Sequence, residues 1–197
     1  MSQIMLFPLS SVVLPEGKMK LRIFEPRYKR MIAECLKAGT GFGMCLVNND
    51  AGALPHNTSS IGTFVSIVDF ETLDDGLLGI TVSGTKRFKI EQVSTEFDGL
   101  RHADVTWLPT WQPKQLNEHH LFVGERLQAV YKAFPLLGEL YTHCFFDDAT
   151  WVSQRWIEVL PVTCLEFESL ALQQDCDEML DFVEEMITVN DSQKATI

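Results

Sequence analysis

Positive charge is scarce in this chain, and scarcest toward its C-terminus. Of 197 residues, 16 are Lys or Arg and 27 are Asp or Glu, giving a formal net charge of -11. Residues 1–113 hold 11 basic and 12 acidic side chains, whereas residues 114–197 hold 5 and 15. An acidic surface repels phosphates, so nucleic acid and anionic membrane are disfavoured as main partners. No stretch reaches the ~20 consecutive apolar residues of a membrane-spanning helix. The opening MSQIMLFPLSSVVLP lacks a basic segment and is broken by Pro8 and Pro15, so it does not read as a signal peptide. Cysteine occurs five times, an odd number with no CxxC pair. Free thiols in a reducing, cytoplasmic setting are the expectation.

Signatures of common chemistries are also missing. There is no GxxxxGK[ST] loop to cradle phosphates, since Gly17-Lys18 is followed by Met19 and lacks the earlier glycine. There is no GxSxG elbow and no HExxH helix. Glu118, His119 and His120 come nearest to a metal set. Adjacent helical side chains point about 100° apart, so the two rings are expected to diverge, His120 toward the core and His119 toward water. His143 and Asp147 have ligand-like spacing but no third partner. Cys35 and Cys45 fall at core positions, where a thiol is inert packing. No pair of carboxylates sits in the apolar context that marks an acid–base couple. The expectation is a protein without a catalytic residue, cofactor or metal.

What the sequence does have is pattern, with 46% apolar and 22% charged residues, the balance of an ordinary globular protein. The first part is mostly β. Short strands are expected at Met5–Leu9, Lys20–Phe24, Gly43–Val47 and Thr63–Phe70. Asp75-Gly76 and Asp98-Gly99 are hairpin turns. After the first, Leu78, Ile80 and Val82 share a face. Beyond Ser83-Gly84, Phe88 and Ile90 point inward, with Arg87 and Lys89 outward. Ala103, Val105 and Trp107 alternate with polar residues on the last strand. Several short strands with glycine-bearing turns suggest a small barrel. One helix interrupts it: Pro26 suits its first turn, Tyr28, Met31, Ile32, Cys35 and Leu36 form its stripe, and Gly39 ends it. Glu25 is placed to meet its first N–H groups.

After the proline-bearing stretch Leu108–Pro113 the period becomes helical. Leu116, Val123, Leu127, Val130 and Phe134 form one stripe, broken by Pro135 and Gly138. Asp148, Thr163 and Asp177 are candidate N-caps for three further helices, with Glu166 completing a capping box. The tail from Asn190 is expected to fray. The fold class is therefore α+β, with a β lobe over 1–112 and a helical lobe over 113–197.

Three segments, in order, resemble one family. FPLSSVVLPEGKMKLRIFEPRY (Phe7 to Tyr28) is similar to the opening of the substrate-binding N-terminal domain of Lon proteases. IGTFVSIVDF (Ile61 to Phe70) and GLLGITVSGTKRFKI (Gly76 to Ile90) are similar to that family's following strand and hairpin. The resemblance implies a PUA-like β-pseudobarrel followed by a C-terminal helical bundle. It implies binding of unfolded or damaged polypeptides, or partnership with a protease or chaperone, as a quality-control adaptor. The ATPase and Ser–Lys peptidase of full-length Lon proteases have no counterpart here, so no catalysis is expected. Met19, Phe24, Met31 and Phe42 are candidates for a peptide-binding surface, with core packing as the competing reading for each. RNA binding by analogy to PUA domains is the alternative. It would require a basic stripe built from Arg22, Arg27, Lys86 and Arg87, the last three of which belong to two local clusters, Arg27 with Lys29 and Arg30, and Lys86 with Arg87 and Lys89.

Overall fold

In the computed structural model, which describes residues 2–48 and 57–194, six strands and one helix belong to one unit, Met1–Thr110. Its elements are β1 (Ser2–Leu9), β2 (Lys18–Ile23), α1 (Pro26–Ala38), β3 (Phe42–Val47), β4 (Thr58–Thr72), β5 (Leu78–Thr95) and β6 (Arg101–Trp107). β1 pairs in parallel with β3 and antiparallel with β6. β6 pairs with β5, β5 with β4 and β4 with β3, all antiparallel. Five strands thus form a closed circuit, and β2 stands outside it, paired among the described residues with β5 alone. The parallel β1–β3 pair needs a crossover, which β2 and α1 supply.

The pleat gives β1 and β3 two apolar faces. Phe7, Phe42 and Met44 join Ile23, Val65, Ile80, Val82 and the α1 residues Tyr28, Met31, Ile32 and Cys35 in one core. Leu6 and Cys45, of opposite parity, join Phe88, Ile90, Ala103 and Val105 in a second. Burial on both faces is what the mixed parity of these strands signals. Gly39 ends α1 in the left-handed region at φ 63, and the N–H groups after the last turn return to the Cys35 and Leu36 carbonyls.

Several expectations are corrected here. Ser83-Gly84 does not interrupt the hairpin: β5 is one strand of 18 residues. Gly84 marks where the 14–17 turn docks on the β5 edge, its N–H donating to the Gly17 carbonyl at 2.8 Å and its carbonyl accepting from Glu16 N–H at 2.9 Å. A Cβ at Gly84 would stand 2.1 Å from the Leu14 carbonyl oxygen, so only glycine permits this approach. Arg87 does not face outward. It is buried, and its Nη2 donates to the Pro109 carbonyl at 2.8 Å. Leu36, assigned to the apolar stripe of α1, is exposed. The Glu25 side chain does not cap α1; its backbone carbonyl takes the Tyr28 and Lys29 N–H groups instead.

The second unit, Trp111–Ile197, contains only helices as regular elements among its described residues. These are α2 (Leu121–Ala133), preceded by a 3₁₀ turn at Glu118–His120, then α3 (Pro135–Gly138), α4 (Ala149–Ile157), α5 (Cys164–Ala171) and α6 (Asp177–Lys194). The Trp111 indole N–H donates to the Gln173 carbonyl at 2.8 Å, which ties that residue into this unit. Asp148 caps α4 by accepting the Trp151 N–H at 2.8 Å. Thr163 and Glu166 form a reciprocal capping box on α5. Asp177 is the first residue of α6 rather than its cap; the Asp175 carboxylate accepts its N–H at 3.0 Å. The Asp177 carboxylate instead pairs with the Lys114 ammonium. α6 runs to Lys194, past the point where fraying was expected; the last three residues of that tail lie outside the described residues.

Candidate functional site

Among the described residues, β2 has a sheet neighbour on one edge only. Its other edge presents backbone N–H and C=O groups that pair with no strand among the described residues. Across from it lies the end of β1, where Phe7 to Leu9 pair with β3 on one side while β6 reaches only as far as Leu6. Between the two is a groove of about 520 Å³ within the first unit. Its apolar lining includes Phe7, Leu21, Ile23, Phe24 and Tyr28, and Lys20, Arg22, Arg27 and Arg101 bring positive charge to it. Glu25 is the lone acidic residue in that lining among the described residues. Lys20, Arg22 and Arg27 are each paired with a carboxylate, of Glu71, Asp75 and Glu25, so most of that charge is balanced locally.

The segment after β2 shapes this wall. Ile23 is buried, while Phe24, the next residue, is 65% exposed on the groove. Glu25 then turns the chain into α1, and Pro26 fixes its first turn. Arg27 is held on every side. Its Nε and Nη2 donate to the Glu25 carboxylate at 2.8 and 2.7 Å, and its Nη1 donates to the Gly99 carbonyl at 2.8 Å. Its guanidinium lies 4.6 Å from the Tyr28 ring centre, within cation–π range. Tyr28 packs edge-on against Phe7 at 4.1 Å, and burial raises its phenol above the usual tyrosine range. The Glu25–Arg27–Tyr28 run is thus a rigid corner at one end of the groove.

The proposed peptide-contacting residues scatter. Phe24 lines the groove. Met31 and Phe42 are fully buried, because α1 presses the first onto the sheet and β3 points the second into the same core. Neither offers surface to a partner in this fold. Met19 is partly buried against that core and is not among the groove residues. The contributions of Leu9, Leu21 and Val47 went unrecognised, since strand pattern alone does not say which edges stay open.

The basic stripe required for the RNA alternative does not assemble as expected. Arg22 pairs with Asp75, Arg27 with Glu25, and Lys86 sits over the Trp107 ring at 5.5 Å. Arg87 is internal, and burial pulls its guanidinium down to about 10. Arg30 is enclosed by Glu34, Glu96 and Asp98. The cysteines are all free. Burial pushes the Cys35 thiol up to about 11 and raises Cys144 and Cys176, which keeps these three protonated and poorly nucleophilic at neutral pH. His143 and Asp147 are both exposed. His119 is exposed and His120 buried, but their rings do not diverge: both Nε2 atoms approach the Glu184 carboxylate. No helix among the described residues is long and apolar enough to cross a membrane.

Solved structures share this mixed α+β fold. One is a Lon N-terminal domain protein from Xanthomonas campestris, at 29% identity and a TM-score of 0.72, covering 94% of this chain and 98% of the other. The N-terminal domain of a Mycobacterium avium complex Lon protease matches at 13% identity and a TM-score of 0.60, over 93% and 97% of the two chains; it supports the fold alone. The family model for the substrate-binding domain of the ATP-dependent protease La (LON) matches residues 3–193. The chain belongs to that family.

Proposed function

We propose that this chain is a non-catalytic module that binds extended polypeptide segments by strand addition to the open edge of β2. The observation that carries this reading is the groove between that edge and the end of β1. Strand addition draws affinity from main-chain hydrogen bonds and selectivity from pockets for alternate side chains. It accepts many sequences but requires an extended backbone, which an unfolded client offers and a folded one does not. Phe24 and Leu21 supply apolar contact. Family membership agrees with binding of this kind. In this reading the protein works as a cytoplasmic quality-control adaptor, handing clients to a protease or chaperone, and its first unit takes the part of a PUA-like barrel.

The test is fluorescence anisotropy with a labelled unfolded polypeptide, the same polypeptide folded, and a structured RNA, at two salt concentrations. Binding of the unfolded chain that persists at high salt supports the proposal. A peptide with alternate backbone amides N-methylated should lose that binding, because one row of donors is gone. Equal binding of the methylated peptide refutes strand addition. Binding of RNA alone, falling steeply with salt, refutes the polypeptide reading.

A further inference from the structure

In the second unit, the 3₁₀ turn before α2 lies beside α6, and three side chains turn their ligand atoms toward one point. His119 Nε2 is 2.9 Å from Glu184 Oε1, and His120 Nε2 is 3.0 Å from Glu184 Oε2. One ligand atom from each of the three residues lies within 4.8 Å of the others. Asp181, one turn before Glu184, brings its Oδ1 to 3.7 Å from His120 Nε2. The turn explains how adjacent histidines converge. Its residues are not in an α-helix, and His120, at φ -98 and ψ 1, sits where the 3₁₀ turn passes into α2.

We propose that His119, His120 and Glu184, with Asp181 in reach, form a site for a borderline divalent transition-metal ion such as Zn²⁺, Co²⁺ or Ni²⁺. Two imidazoles and a carboxylate are the donors such ions take, whereas Mg²⁺ and Ca²⁺ prefer oxygen alone. The two sides of the site differ. The His120 side chain is 11% exposed and that of Glu184 24%, while His119 is 74% exposed. An ion therefore meets a fixed wall and one adjustable ligand, with solvent completing its coordination. Metal–nitrogen bonds of ~2.0–2.1 Å place two nitrogens on a tetrahedral ion roughly 3.4 Å apart. The ligand atoms lie within 4.8 Å of one another, and rotation of the exposed His119 ring closes what remains of that separation.

The second nitrogen of His120 sets the strength. Metal binding through Nε2 puts the proton on Nδ1, and that atom is buried without a hydrogen-bond partner among the described residues. An orienting acceptor at this position typically contributes ~10–100-fold in affinity. The site is accordingly a reversible one rather than a permanent structural centre. Occupancy joins the turn before α2 to α6 and responds to the metal supply.

The experiment is a Co²⁺ titration of untagged, chelator-treated, reduced protein, followed by visible d–d absorption, with Zn²⁺ competition. One equivalent should bind saturably and reversibly, and Mg²⁺ should not displace it. His119→Ala removes an exposed ring and should weaken binding at least tenfold with an unchanged circular dichroism spectrum; E184Q should do the same. His143→Ala, which removes an exposed histidine outside the cluster, should leave binding unchanged. No saturable one-to-one binding, or binding that H119A and E184Q leave within twofold of the parent, overturns the proposal.

Discussion

Replacing Phe24 with alanine separates a binding role from a packing role more cleanly than any other substitution in the groove. The side chain is 65% exposed in the free protein, so its removal takes little from the core. A phenylalanine buries about 150–250 Å² when fully covered. The exposed share is therefore roughly 100–160 Å², and covering it at ~25 cal/mol per Å² sets a ceiling of about 2.5–4 kcal/mol. Association costs consume part of any such gain. The expected loss on F24A is about 1–2 kcal/mol, a roughly 5–30-fold rise in Kd. Phe70 provides a matched control: it is 63% exposed but lies outside the groove. Anisotropy titrations with the labelled unfolded polypeptide should show the loss for F24A and not for F70A, while urea midpoints stay close to the parent for both. A Kd for F24A within twofold of the parent, or an equal loss for F70A, would refute the assignment of the groove.

Other substitutions test the physics of the frame. Glu158 meets the fully buried Arg155 guanidinium through two 2.8 Å contacts, so Glu158→Ala breaks a buried ion pair by removing one member and should cost about 3–5 kcal/mol. With a urea m-value of about 2 kcal/mol per molar, the midpoint falls by about 1.5–2.5 M; a shift under 0.5 M (on the order of 1 kcal/mol) contradicts the reasoning. Gly84→Ala drives a Cβ against the Leu14 carbonyl and should destabilise the first unit by about 1–3 kcal/mol or more, read by thermal unfolding; an unchanged Tm would show that the 14–17 turn yields freely. Glu96 is held below its ordinary value near 4.5, first by its hydrogen bond with His102 and then by that from Arg30. Its ionised form therefore adds stability above pH 4.5, which is lost as the pH falls through the lower folded-state value. E96Q should flatten the decline in stability below pH 4.5, measured by urea titration at several pH values; an acid limb as steep as the parent's counts against this network.

Local order was legible wherever one residue type had a local reason. Pro26 opening α1, Gly39 closing it, Thr163 with Glu166 on α5, and glycine in the turns at 76 and 99 all act within a few residues of chain. The misreadings fall where a group found a partner other than the one its local pattern suggests. Arg87 alternates as an outward residue, but the Pro109 carbonyl offers it an internal acceptor. Glu25 stands where an acidic side chain favours a helix start, but Arg27 captures its carboxylate. Gly84 stands beside a register shift between β4 and β5, as a glycine at a bulge does, and is also the contact point for the 14–17 segment.

The two candidate sites were legible only in part, through Phe24 and the His119-His120 pair, and for a related reason. Met31 and Phe42 have the composition of a binding surface, and composition does not distinguish a covered apolar residue from an open one. What opens the groove is topology. The circuit closes through the β5–β6 pair, which leaves β2 attached by one edge, and no residue of β2 encodes that fact by itself. Likewise, His119 and His120 converge only because their backbone is a 3₁₀ turn and because Glu184, 64 residues beyond His120, arrives from α6. A helical wheel drawn on the local sequence separates them. A site assembled by an open edge or by long-range convergence is thus a property of which strands and helices find one another, and residue type narrows the choice only after that pairing is known.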